Sequence, residues 1–143
     1  MVNHLLSIND LSENQILRIL ERGEAYRNGE ATGSPLLGKT IAMLFEKPSL
    51  RTRVSFDVGI RELGGHSIYL GKEEVGLDTR EPAEDIAKIL SGWVSAIVCR
   101  VFNHSSLERM AANSSVPVIN ALSELEHPCQ ALADLLTIQQ HLE

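Results

Sequence analysis

The run Ser95-Ala96-Ile97-Val98-Cys99-Arg100-Val101-Phe102 constrains the fold more than any other stretch of this chain. After Ser95 it is apolar apart from Arg100, and it is far shorter than the roughly 20 residues that cross a bilayer. A strand with one wet face alternates polar and apolar residues, whereas a continuous run marks a strand covered on both faces, as in a parallel sheet. Thr40 to Phe45, with Gly38 in front, repeats the pattern. His66 to Leu70 and Val116-Pro117-Val118-Ile119-Asn120 are shorter strand candidates, and the proline places the second at an edge or a strand start.

Between these strands lie segments of helical period. Ser12-Glu13-Asn14-Gln15 fits a capping box ahead of Ile16, Ile19 and Leu20, and the helix runs toward Asn28-Gly29. Ser49 opens a helix through Val54, Val58, Ile60 and Leu63, which Gly64-Gly65 closes with a glycine for the left-handed position. Pro82 suits a first turn, with Ile86, Ile89, Leu90 and Trp93 expected on a buried face. Ser105-Ser106-Leu107-Glu108 reads as a second capping box, and Ala131 to Leu142 as a helix with Leu132, Leu135, Leu136 and Ile138 on its apolar side. Gly71 to Thr79 reads as an acidic loop. This alternation predicts an α/β fold, an open, mostly parallel four-stranded sheet flanked by helices on both faces.

With 143 residues the chain is long enough for one domain with its own core. A formal net charge of −6 and scattered arginines lack the basic patch of a nucleic-acid binder. Met1-Val2-Asn3-His4 has neither the basic nor the apolar region of a signal peptide, so the expected compartment is the cytoplasm, with no membrane partner. Cys99 and Cys129 stand apart with no CxxC spacing, so neither a disulfide framework nor a zinc site is expected, and Cys99 reads as a small buried hydrophobe.

The residues with chemistry sit where strands end. In Lys47-Pro48-Ser49-Leu50-Arg51-Thr52-Arg53 the proline stops a strand and Ser49 caps a helix whose first turn carries two arginines. Cations there oppose the helix dipole, and an anion would reverse the sign. Free N–H groups, two hydroxyls and a guanidinium together describe a phosphate site, the alternative being two solvated arginines. Arg100 inside its apolar strand needs a partner anion, or else a carboxylate such as Asp57 or Glu62. His127 and Gln130 flank Pro128 and could point the same way, although a histidine before a helix is often a cap.

Phe45-Glu46-Lys47-Pro48-Ser49-Leu50-Arg51-Thr52-Arg53, with Arg100 and with His127-Pro128-Cys129-Gln130 leading into Ala131-Leu132-Ala133-Asp134-Leu135-Leu136-Thr137, resembles the carbamoyl-phosphate-binding half of the ornithine carbamoyltransferases, over essentially the whole chain. The Ser-x-Arg-Thr-Arg turn marks transcarbamoylases in general, and Cys129 resembles the ornithine branch more than the aspartate one. The resemblance implies carbamoyl transfer from carbamoyl phosphate to ornithine, giving citrulline and phosphate, as in arginine biosynthesis. It implies a trimer-based assembly and no cofactor or metal. By position, Ser49, Leu50, Arg51 and Thr52 would hold the phosphate, Leu50 through its backbone N–H. Arg100 would bridge phosphate and carbonyl oxygen, His127 would donate to that oxygen, and Gln130 would take the carbamoyl amino group.

Three departures from the family pattern stand out. Leu50 replaces a more usual threonine, and Arg80 stands where a lysine reaching into the neighbouring subunit's site is expected. The ornithine-binding half, with its Ser-Met-Gly and His-Cys-Leu-Pro motifs, does not occur in residues 1–143. The expectation is therefore a carbamoyl-phosphate-binding domain cut from a longer protein, stopping in mid-helix between Leu135 and Glu143 and inactive alone. An aspartate or other carbamoyltransferase domain, or a non-catalytic phosphate-binding module, are the alternatives.

Overall fold

The computed structural model describes residues 2–142. Met1 and Glu143, on which the expectations of a missing leader and a cut helix partly fall, lie outside them. The four strands are β1 (Thr40–Phe45), β2 (His66–Gly71), β3 (Ala96–Arg100) and β4 (Val118–Leu122), all parallel, in the spatial order β2-β1-β3-β4. The helices are α1 (Glu13–Arg27), α2 (Leu50–Glu62), α3 (Lys72–Val75), α4 (Ala83–Ser91), α5 (His104–Ala112) and α6 (Pro128–Leu142).

Side-chain alternation along the central strands divides the core into two layers. Ile41, Met43, Phe45, Ala96 and Val98 face the α2 side and pack with Ile60. Ala42, Leu44, Ile97 and Cys99 face the other side, against Ala83, Ile86 and Ala87 of α4 and Leu107 and Met110 of α5. Burial on both faces is why β1 and β3 are uninterrupted apolar runs. Helix α6 packs on β4 and on α1.

The chain leaves β1 for β2 on one side and then crosses back to β3 on the other. The order reverses between β1 and β3, a topological switch point, and ligands of open α/β sheets bind at the carboxyl ends of strands there. Glu46 pins this crevice: its N–H donates to the Arg100 carbonyl (2.8 Å), and its carboxylate accepts the Phe102 N–H (2.8 Å).

Several local expectations change. Ser12 and Gln15 form the expected capping box, and Gly64, at φ 86°, ends α2 where an added Cβ would lie 2.6 Å from Ser34 Cβ. By contrast, α5 begins one residue before Ser105, with Asn103 as N-cap, because Glu124 of the neighbouring loop accepts the His104 N–H and starts the helix early. Helix α6 likewise begins at Pro128, whose fixed φ suits a first position. The expected loop after β2 holds the single turn α3. On α4, Ile86 is buried but Ile89 and Trp93 are 48% and 77% exposed. The helix ends at Ser91, so Trp93 no longer follows its periodicity. Val54 and Val58 on α2, Ile19 on α1, and Leu135 and Ile138 on α6 are also exposed, because these helices turn a second apolar stripe away from the sheet.

Candidate active site

The site is built from the first turn of α2. Ser49 has extended backbone and caps the helix, its Oγ accepting the Thr52 N–H (3.3 Å) and donating to Thr52 Oγ1 (3.0 Å). The first N–H groups of a helix have no intrahelical acceptor, so the Leu50 and Arg51 amides are open to an anion. Leu50 itself is 76% exposed. The Arg51 guanidinium makes no ion pair among the described residues. Arg53 instead turns back over the Tyr69 ring, 3.9 Å from its centroid.

Arg100 ends β3, in register with Phe45 on one side and Leu122 on the other. Its Nη1 donates to Thr52 Oγ1 (3.0 Å), so one threonine hydroxyl joins the α2 turn to the central strand. The Arg100 Nε is buried without a partner. The carboxylate pairing considered from sequence is not formed: Asp57 accepts from Ser67 of β2 and pairs with Arg61 (3.2 Å) one turn along α2. A buried donor without an acceptor is rare and costs free energy, so the Arg100 Nε stands out among the polar atoms of the described residues.

His127 precedes α6, its Nδ1 accepting the Gln130 N–H (3.3 Å). That bond places the proton of the neutral ring on Nε2, leaving a donor free. Burial, then the Arg100 cation, push the His127 pKa below its ordinary value, against an opposing pull from Asp134. The ring is therefore neutral at pH 7. Gln130 does not join it: its Nε2 donates to Asp134 Oδ1 (2.8 Å), one turn along the helix. Burial pushes the Cys129 thiol up to about 11, and Sγ points at the Asn120 carbonyl (3.5 Å).

The structure thus brings Ser49, Leu50, Arg51, Thr52, Arg100 and His127 to neighbouring strand ends. Arg80 sits in the turn before α4 and pairs with Glu81 (3.7 Å) at the surface. That turn is held by Asp78, which accepts from Arg109, Ser106 and the Ala83 N–H (3.1 Å). Asp78 escaped the sequence reading, since a lone carboxylate in a loop carries no spacing signal, and Glu46 stood in the quoted motif without a role of its own.

Residues 3–140 match the family profile described as the aspartate/ornithine carbamoyltransferase, carbamoyl-P binding domain. The chain belongs to this carbamoyltransferase family. Among its relatives, ornithine carbamoyltransferase of Vibrio sp. (strain 2693) is 49% identical over 99% of the chain and 48% of its own length. The ornithine carbamoyltransferase of Methanocaldococcus jannaschii is 48% identical over 96% of the chain and 46% of its own length. The crystal structure of ornithine carbamoyltransferase from Thermus thermophilus superposes with a TM-score of 0.91 at 43% identity, over 98% of this chain and 49% of that one. The chain spans about half the length of the carbamoyltransferases it matches. Among the described residues, no helix is long and apolar enough to cross a membrane.

Proposed function

We propose that this chain is the carbamoyl-phosphate-binding domain of an ornithine carbamoyltransferase, whose whole protein transfers a carbamoyl group from carbamoyl phosphate to ornithine, releasing citrulline and phosphate as in arginine biosynthesis. The observation that carries the reading is the link from Ser49 through Thr52 to Arg100, with its orphaned buried Nε beside a neutral His127.

In this reading the phosphate lies on the Leu50 and Arg51 amides, the Ser49 and Thr52 hydroxyls and the Arg51 guanidinium. Arg100 spans phosphate and carbonyl oxygen. Attack by the ornithine amine builds negative charge on that oxygen, and fixed donors from Arg100 and from His127 Nε2 meet it, each such donor being worth about 10²- to 10³-fold in rate. The leaving phosphate keeps its charge on Arg51 and the helix N-terminus. Gln130 takes the carbamoyl amino group after releasing Asp134. Ornithine binds on a second domain beyond residues 1–143, and a trimer, in the cytoplasm, brings Arg80 to a neighbouring site.

The test is calorimetric titration of inorganic phosphate into the protein and its Arg51→Ala variant, with a citrulline assay alongside. Phosphate binding lost in Arg51→Ala, with the thermal transition within a few degrees, and no citrulline from residues 1–143 alone are the expected results. Phosphate binding unchanged by the substitution would make the α2 turn merely structural.

A further inference from the structure

The most buried polar side chain outside the α2 turn lies in β4, the edge strand that delivers His127. Asn120 is 0% exposed. Its Nδ2 donates to the Leu6 carbonyl (2.8 Å), to Ser123 Oγ (3.3 Å) and to the Glu126 carbonyl (3.3 Å). Its Oδ1 accepts the Leu122 N–H (3.0 Å), and these backbone partners fix the amide orientation without ambiguity. Ser123 lies on the same turn, its N–H donating to the Glu126 carbonyl (3.0 Å), and its Oγ meets Nδ1 of buried His104 at 2.7 Å. Glu126 in turn accepts from Ser7 Oγ (2.7 Å) and the Ile8 N–H (2.9 Å). Apart from the Leu122 bond within β4, each of these bonds has an end on the four residues before His127 or on the amino-terminal segment that braces them.

Filling space in β4 would need no amide, and a buried amide is tolerated where its bonds hold something in place. We propose that Asn120 is a positioning residue for His127: through Ser123 and Glu126 it fixes the 123–126 turn, and so aims the Nε2 donor at the carbonyl position beside Arg100. This rests on the proposed carbamoyl-phosphate reading. Asn120 touches neither phosphate nor carbonyl, so its effect is confined to ligands that carry a carbonyl. Phosphate alone reads the α2 turn and Arg100, and the Asn120 side chain bonds to neither.

The experiment compares inorganic phosphate with phosphonoacetamide, a phosphonate bearing a carbonyl, on the wild-type protein and on Asn120→Asp, Asn120→Leu and Glu126→Gln. Asn120→Asp keeps the shape and the acceptor but loses both donors. The expected result is about a tenfold weaker phosphonoacetamide affinity in the Asn120 variants, the equivalent of one misplaced hydrogen bond, with phosphate affinity unchanged. Glu126→Gln, at a partly exposed site that tolerates change, gives a smaller loss in the same direction. The ring ¹⁵N shifts of His127 should move from a single Nε2–H tautomer toward a mixture in Asn120→Asp, a change that simple destabilisation does not produce. Equal weakening of both ligands, or an unchanged tautomer with unchanged phosphonoacetamide binding, overturns the positioning role. A wild-type protein that binds neither ligand overturns the carbamoyl-phosphate reading itself, and the two failures are thereby distinguished.

Discussion

Replacing Arg100 with methionine separates binding from stability more sharply than any other single change in this chain. Two terms oppose one another in the ligand-free protein. The substitution removes the Nη1 bond to Thr52, a charged-donor hydrogen bond of about 1.5–3 kcal/mol, and it also removes the buried Nε, an unsatisfied donor whose desolvation costs about 1–3 kcal/mol. Methionine keeps much of the side chain's apolar length at the end of β3. The terms nearly cancel, so ligand-free stability should stay within about 1 kcal/mol, or about 4 °C in the melting midpoint for a domain of this size. With phosphate the balance is one-sided. A ligand at a hundred times its dissociation constant stabilises a wild-type site by about 2.7 kcal/mol, and Arg100→Met should abolish most of that increment. Thermal melts with and without inorganic phosphate, followed by circular dichroism, read both quantities. A variant more than about 3 kcal/mol less stable without phosphate would make Arg100 a structural residue, and an intact phosphate increment would place the anion elsewhere; either result refutes the reasoning.

Two further outcomes are expected. Because the folded His127 pKa is lowered, its stability contribution is fully present above the unfolded value near 6.5 and declines as pH falls through that value; the ring proton signal should titrate below 6.5, and lower still in Asp134→Asn, whose carboxylate opposes the shift. A midpoint at or above 6.5 would contradict the neutral donor. Asp78 caps α4, since Pro82 has no side chain to do so, and Asp78→Ala should lower stability by about 1–2 kcal/mol in a denaturant titration. Its carboxyl is buried against ionisation, yet the donors from Arg109, Ser106 and Ala83 outweigh that and hold its pKa down. This contribution is therefore present above about 3.8 and lost as pH falls below it; a flat acid limb would remove Asp78 from the account.

The strands and the phosphate-type turn were legible because their signals are local. A strand covered on both faces must be apolar along its covered length, and β1 from Ile41 to Phe45 and β3 from Ala96 to Cys99 are; a helix cap needs a hydroxyl at one position, and Ser49 supplies it. Helix faces were less legible. Ile89, Val54 and Val58 have the period of buried residues, yet burial depends on which neighbour covers each stripe, and no window of sequence contains that neighbour. The start of α5 escaped for the same reason, its first N–H being met by Glu124 from a different loop.

What the sequence by itself determined is the kind of fold and the chemical character of each strand end: a hydroxyl and guanidinium turn after β1, a lone cation in β3, an imidazole after β4. Tertiary structure decided how they meet. The reversal of strand order between β1 and β3 sets the α2 turn beside Arg100, Thr52 joins them, and Asn120 with its turn brings His127 alongside. Hydrogen bonds act over about 3 Å regardless of distance along the chain. Thr52 and Arg100 are neighbours only once the sheet has formed, and a sequence read in order contains no term for that distance.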